Sequence, residues 1–434
     1  MKTLWSWLVI LFAALTASAA TPFILITNLP AYGVNASLSG ITLNASPVSN
    51  AIAVFIYVPG YGWVTKPTCD QPLTVIQPNG SWTANVTTGG AGDLTATRFA
   101  ALLVNTNFTL SCVLGTATLP TNAYAQAIAK TVITRPSPGV RFLSFSGYDW
   151  YVKNYTSPVG PGPNYFSDAT NNVWTDTNGW LHLRITHRTN LWQCAEIISA
   201  RTFGNGSYRF ELNSVVNNLD PNVTLGLFTY SDDPAFTDRE IDVECGRWQT
   251  PSDTNNAQFV VQPYYLANQL VRYRVPPALA DSTHLFVWET NRISWQSQTN
   301  SYSAAATNLI ASYSFTNAAN VPQTGDEAVH LNLWLINGTA PTDNNEVEVI
   351  LQNFNFVPLG TPTATLLTNL QMSATGPFKC NVIVQPDYRY EVQTSSNLVT
   401  WSHLVTQLAT NTFLKISDTN LPPQKRFYRV VSQP

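Results

Sequence analysis

The stretch Arg239-Glu240-Ile241-Asp242-Val243-Glu244 sets three carboxylates at every second position of a run that reads as a β-strand. Alternate side chains of a strand share a face. Glu240, Asp242 and Glu244 are therefore expected to point one way, and Ile241 and Val243 the other way, into a core. Three like charges on one face repel one another. A fold keeps them there when they are paired, bind a metal or share protons. Two nearby carboxyl groups with pKa values pushed apart can supply the acid and the nucleophile of glycoside hydrolysis. A retaining reaction needs them about 5–5.5 Å apart, whereas residues four apart on a flat strand lie roughly 13 Å apart at Cα. The strand must therefore curve, and Asp242, between the two glutamates, is placed to share a proton with a neighbour. Calcium is the competing reading, but it takes its many oxygen ligands mostly from loops. The carboxylate chemistry requires no cofactor, and a structural Ca2+ elsewhere in the fold is left open.

Charge is scarce in this chain. Only 11% of its 434 residues are charged, against about 25% on average. Aromatic residues make up 12%, including 13 Trp and 18 Tyr, which suits stacking on sugar rings as well as packing in β-sheets. The net charge is −3 and no Lys/Arg-rich block occurs, so a nucleic-acid partner has no electrostatic support. Lys2, the apolar run Trp5 to Leu15 and the small residues Ala17-Ser18-Ala19 read as a secretory signal cleaved after Ala19. No later run is long enough to span a bilayer. The mature protein is expected to be a soluble, secreted monomer, with cell-surface association left open.

Short apolar–polar alternations between Asn, Gly, Pro and Asp dominate, and helical periodicity is nearly absent; the chain reads as all-β. After the signal (1–19), residues 20–136 suit an immunoglobulin-like sandwich. Arg135-Pro136-Ser137-Pro138-Gly139 reads as a linker. Residues 140–358 carry strand after strand and suit a large two-sheet jelly roll. A second break follows at Pro358-Leu359-Gly360-Thr361-Pro362, and 362–434 reads as a small β accessory domain. Of the five cysteines, Cys69 and Cys112 are the best disulfide pair, Cys194 and Cys245 a weaker one, and Cys380 is left over. No spacing points to zinc, to a Gly-x-Ser-x-Gly elbow or to a phosphate-binding loop. The five histidines are scattered.

Glu-Ile-Asp-Val-Glu at 240–244 resembles the active-site motif of glycoside hydrolase family 16, the group of lichenases, laminarinases and related endo-glycanases. Further blocks resemble the family in the same order: Ser199 to Tyr208, Leu225-Gly226-Leu227-Phe228-Thr229-Tyr230, His284 to Glu289, and Leu331-Asn332-Leu333-Trp334. The resemblance implies a concanavalin A-like jelly roll acting on a β-linked polysaccharide, a β-glucan or related galactan, by a retaining double displacement. It implies Glu240 as nucleophile, Glu244 as acid and then base, and Asp242 as the residue that tunes them. It also implies a cleft with Trp334 as stacking platform, Asn332 on the same face, Phe228 and Tyr230 beside it, and Gln258 on the next strand. Gln262 and Trp248 join only by nearness in sequence.

The chain departs from the family in places. Asp238 and Arg239 stand where a Trp is usual, Arg209 replaces an acidic residue, and Cys245-Gly246-Arg247-Trp248 follows the motif. The two arginines at 209 and 239 are expected to alter the preferred sugar or favour an anionic glycan. Two alternatives stand beside hydrolysis. One is a non-catalytic carbohydrate-binding or adhesion protein; the other is a transglycosylase using the same site.

Overall fold

A computed structural model describes residues 22–433 apart from 233, 304, 361–365, 372–377, 386, 410–412 and 420–425. The proposed signal segment lies outside the described residues. The described chain is almost entirely β. None of its helices is long and apolar enough to cross a membrane.

The central unit is a sandwich of two antiparallel sheets. The first runs, neighbour to neighbour, through Phe142–Phe145, Tyr148–Val152, Leu191–Ser199, Ala328–Leu335, Val223–Tyr230, Ile241–Gly246, Ala257–Val261 and Leu270–Tyr273. The second runs through Val173–Thr175, Leu181–Arg188, Val347–Pro358, Gly206–Asn213, Asp281–Trp288, Ile293–Thr299 and Leu309–Phe315. The strands Leu181–Arg188 and Leu191–Ser199 pair at their ends and join the two sheets.

Alternation decides which side chains fill the space between the sheets. Ile241, Val243, Leu225, Leu227, Leu331 and Leu333 are fully buried there against Tyr208, Phe286, Trp295 and Phe354. Each such aliphatic side chain contributes about 1.5–3 kcal/mol on burial. The same parity turns Asp242, Phe228, Asn332 and Trp334 to the outer face of the first sheet. Trp295 reaches across from the second sheet, and its indole N–H donates to the Asp242 carbonyl at 3.1 Å.

The N-terminal unit has its own pair of sheets. One contains Phe23–Asn28, Leu38–Leu43 and Ser81–Ala84; the other is built on Asn50–Val58 and Arg98–Asn105. Both sheets contribute to one core cluster, and the alternate residues of the second sheet, Ala53, Phe55, Ala100 and Leu102 among them, pack into another on its opposite face. Lys66 and Asp93 form a buried ion pair in this unit. The C-terminal strands form two three-stranded sheets around Val382, Tyr390 and Val392.

One expectation from the sequence, the weaker Cys194–Cys245 pairing, needs correction. Arg135, at the start of the stretch read as a linker, falls within the 20–136 unit. It is 4% exposed, and its guanidinium donates to the carbonyls of Pro30, Ala31, Leu94 and Ala96. Five N–H groups in a fixed fork are satisfied only by such convergent acceptors, so the start of the connection is pinned to the N-terminal unit. Cys69 and Cys112 are bonded, but Cys194 and Cys245 are free, buried thiols, as is Cys380. The Ala328–Leu335 and Val223–Tyr230 strands lie between the strands of Cys194 and Cys245. Three inter-strand steps span about 14 Å, twice the reach of a disulfide.

Candidate active site

The outer face of the first sheet carries an open cleft of about 850 Å³. Strand register builds its floor. Glu196, Asn332, Gly226, Glu244, Gln258 and Arg272 are successive partners across six strands. The row two residues along runs through His330, Phe228, Asp242, Val260 and Leu270. Every residue expected at the site from the sequence lines this one cleft: Glu240, Asp242, Glu244, Phe228, Tyr230, Gln258, Asn332 and Trp334. Gln262 and Trp248 line it too.

Gly226 keeps the floor low between Asn332 and Glu244. A Cβ at Gly226 would fall 2.5 Å from Asn332 Oδ1 and 3.2 Å from the Phe228 ring. Any side chain there would displace one of them and fill space beside the carboxylates. Asn332 Oδ1 is buried and has no hydrogen-bond partner within the protein, so it is ready to accept from a ligand hydroxyl.

Glu240 is not inside the strand as the sequence suggested. The strand begins at Ile241, and Glu240 follows a short 3-10 segment, Pro234–Arg239. Its carbonyl accepts from the Gln262 N–H at 3.1 Å.

The three carboxyls are raised above their ordinary pKa values. Burial is the largest cause for each. Glu240 is pushed up to about 8, with repulsion from Glu244 adding to burial and a hydrogen bond from Asp242 opposing it. Asp242 is raised well above the usual carboxylate range by burial and by both glutamates. Its hydrogen bond to Glu240 raises it further while favouring the Glu240 anion, so the shared proton belongs on Asp242. Glu244 is raised to about 7; Gln258 and Arg272 work against its burial. The Gln258 amide donates to Glu244 Oε2 at 2.6 Å. Groups this close lose their protons as a set.

This arrangement costs stability at high pH. A carboxyl whose pKa is higher in the folded state than in the unfolded one contributes stability below its unfolded pKa, and that contribution is lost as pH rises through the folded value. For Glu240 and Glu244 the window runs from the ordinary 4.5 up to about 8 and about 7; for Asp242 it opens at 3.8 and extends well above the usual carboxylate range. Asp242→Asn is expected to raise the melting temperature at pH 9 by several degrees, since ~1 kcal/mol moves it by about 2–4 °C in a unit of this size. At pH 4 the two proteins should melt together. Thermal scans across pH test this, and a difference that stays flat from pH 4 to 9 would show that the three groups do not repel.

A second charged group stands beside the first and was not expected from the sequence. Glu196 is 1% exposed. It accepts from Lys153 Nζ at 2.8 Å and lies 2.7 Å from His330 Nδ1. Burial pushes the Glu196 pKa up, but His330 and Lys153 outweigh it and hold the carboxyl below its ordinary value. His330 packs against Phe228 and Tyr230, with ring centroids 5.1 and 5.6 Å away. His330 lies two residues before Asn332, so it shares the face already assigned to Asn332 and Trp334. Glu196, an acidic residue inside the apolar run Cys194 to Ile198, was the other available signal.

Arg209 and Arg239 do not line the cleft. Arg209 lies in the second sheet, paired with Glu211 at 3.2 Å and stacked over Tyr302 at 4.7 Å. Arg239 is buried behind the carboxylate strand, 3.4 Å from Asp326. The cations that do line the cleft are Lys153 and Arg272. Arg272 bonds Asp253 at 2.8 Å and lies over the Trp248 ring at 4.4 Å. Among the described residues, no group of three or more His, Cys, Asp or Glu side chains is arranged to hold a metal ion.

No family model and no curated protein matches the chain. Among solved structures, a Bacillus licheniformis β-glucanase is 21% identical, covers 51% of this chain and 99% of its own, and has a TM-score of 0.38. A Mycobacterium tuberculosis immunostimulatory antigen described as a pseudo β-1,3-glucanase is 18% identical over 47% of this chain and 88% of its own, with a TM-score of 0.36. A Bacteroides ovatus family 16 glycoside hydrolase in complex with product is 12% identical over 50% of this chain and 98% of its own, also at 0.36. About half of this chain is similar to these structures of β-glucanases and a family 16 glycoside hydrolase.

Proposed function

We propose that this protein is a secreted, endo-acting glycoside hydrolase that cleaves a neutral β-linked polysaccharide with retention of configuration. The observation that carries this reading is the set of Glu240, Asp242 and Glu244 in one open cleft, with Asp242 hydrogen-bonded to Glu240. A protein that only binds glycans has no use for three mutually repelling carboxyls. Burial raises the Glu244 carboxyl to about 7, against Gln258 and Arg272, so below neutral pH it holds the proton that the acid role needs. Glu240 then attacks the anomeric carbon while Glu244 protonates the departing oxygen. Glu244 next takes a proton from the water that releases the sugar.

The shape of the cleft favours an internal segment of a chain. It is continuous with a second groove of about 530 Å³ that shares Lys153, Tyr155, Tyr230, Asp232 and His330 and reaches the N-terminal unit. Trp334, Trp248 and Tyr230 offer ring faces to sugars. Both cations of the cleft are engaged by carboxylates: Lys153 by Glu196 and Arg272 by Asp253. A sulfated or uronic chain would meet mainly carboxylates, which is why a neutral glycan replaces the anionic one.

Barley β-glucan, laminarin, xyloglucan, agarose and carrageenan form a sufficient screen, read by reducing sugar and by NMR of the first anomer released. One of the four neutral glycans should be cut, with β-anomer appearing first; carrageenan should stay intact. Initial release of the α-anomer would exclude double displacement. Intact polymers throughout would favour a glycan-binding protein.

A further inference from the structure

The residue just before Glu240 is held by groups that do not line the carboxylate cleft. Thr237, Asp238 and Arg239 have φ of 51°, 57° and 51°. None is glycine, and each such left-handed residue costs roughly 1–3 kcal/mol and persists only where its surroundings over-determine it. The surroundings converge on Arg239, which is 4% exposed. Its Nε donates to the Gln323 carbonyl at 3.0 Å and its Nη1 to Ser231 Oγ at 3.0 Å. Nη1 also lies 3.4 Å from Asp326 Oδ1. The guanidinium packs against Gly325, where a Cβ would fall 1.9 Å from Nε.

The segment 323–327 is in turn gripped by the N-terminal unit. Arg98 Nη1 meets Asp326 Oδ2 at 3.1 Å. Lys130 Nζ donates to the Thr324 carbonyl at 3.2 Å, and the Tyr124 hydroxyl donates to the Gly325 carbonyl. Arg98 is seated over the rings of Tyr57 and Trp63 at 4.1 and 5.3 Å. Asp326 thus gives one oxygen to an arginine of each unit. Glu327, 1% exposed, accepts from the Gly325 N–H and adds charge opposite Arg239 and Lys130. Removing one member of a buried charge network leaves the others uncompensated.

We infer that the N-terminal unit is a positioning element of the catalytic site: Arg98, Tyr124 and Lys130 fix the 323–327 segment, which fixes Arg239 and so the backbone that carries Glu240. The inference rests on Glu240 being the reacting carboxylate. Tyr124 and Lys130 line neither the carboxylate cleft nor the groove continuous with it, whereas Arg98 lines that second groove; Tyr124→Phe is therefore the variant that acts through Arg239 without touching a glycan, and the expectation for KM applies to it. Displacing a reacting group by about 1 Å costs on the order of 10²-fold in rate, so a loosened segment should be felt in kcat before KM.

Full-length Arg98→Met and Tyr124→Phe test this, with Arg98→Lys as the conservative control. Met keeps an unbranched stem over the two rings, and Phe removes one hydroxyl. Hydrogen exchange read by mass spectrometry is expected to speed up roughly tenfold in the peptide covering 237–242, with the lysine variant nearer wild type. On whichever polysaccharide the wild type cleaves, kcat should fall about tenfold, with KM within about twofold for Tyr124→Phe. Unchanged exchange in that peptide overturns the inference. Exchange that speeds up evenly along the chain, or locally with kcat intact, also counts against it. A wild type inactive on every glycan would sink the hydrolase reading alone, since the exchange measurement decides positioning without turnover.

Discussion

Glu240→Gln is expected to abolish glycan cleavage while leaving the protein folded. Gln has the same shape but cannot form the glycosyl ester on which double displacement depends. A loss of at least about 10⁴-fold is expected, equivalent to about 5.4 kcal/mol of transition-state stabilisation. Stability should move the other way. Glu240 is raised to about 8 by burial and by Glu244, so its charge opposes folding above neutral pH. The neutral amide should leave the melting temperature unchanged at pH 4 and raise it at pH 9. Circular dichroism, thermal scans and reducing-sugar release separate the two effects. A Glu240→Gln protein with wild-type kcat removes Glu240 from the nucleophile role. Lost activity with lower stability at every pH would mean that the side chain is mainly structural.

The same opposition of charge and burial explains why so much of the site was legible. Polar side chains at alternate positions of strands whose other residues are Ile, Val and Leu leave few alternatives. That pattern put Asp242 and Glu244 on one face; Phe228, Asn332 and Trp334 were expected there from the resemblance to family 16. What one sequence does not encode is which strand lies beside which, and in what register. The row from Glu196 through Asn332 and Gly226 to Glu244 is made by register. Glu196 sits in the run Cys-Ala-Glu-Ile-Ile, where a lone acid inside apolar residues draws little notice. It becomes informative only when Lys153 and His330 arrive from two other strands. Arg209 and Arg239 were expected to act on the preferred sugar, but neither lines the cleft; a guanidinium satisfied by carbonyls and carboxylates can be buried. Glu240 was placed on the strand because period-two spacing continues through it. The left-handed residues before it make the strand start one position later than the pattern implies.

Glu244→Ala should lose the acid and base steps and keep the nucleophile. On a polysaccharide, whose departing oxygen needs a proton, kcat is expected to fall about 10²–10⁴-fold. On an aryl glycoside with an activated leaving group the first step needs no acid, so Glu240 still forms the glycosyl ester and the second step becomes limiting. Azide is a small anion that attacks without giving up a proton, and the missing carboxylate leaves room for it beside Gln258, which bonds Glu244 in the intact protein. Azide should therefore restore turnover and give a glycosyl azide of retained β configuration. The stereochemistry identifies the residue. If Glu244 were instead the nucleophile, azide would replace it directly and the product would be the inverted α-azide; an absence of any azide product would take Glu244 out of both roles. The pH profile adds a second criterion. Glu244 is raised to about 7 by burial, against Gln258 and Arg272, so the wild-type rate on polysaccharide should fall as pH rises through that region. The alanine protein acting on the activated substrate has no such acid to lose, and its alkaline limb should flatten.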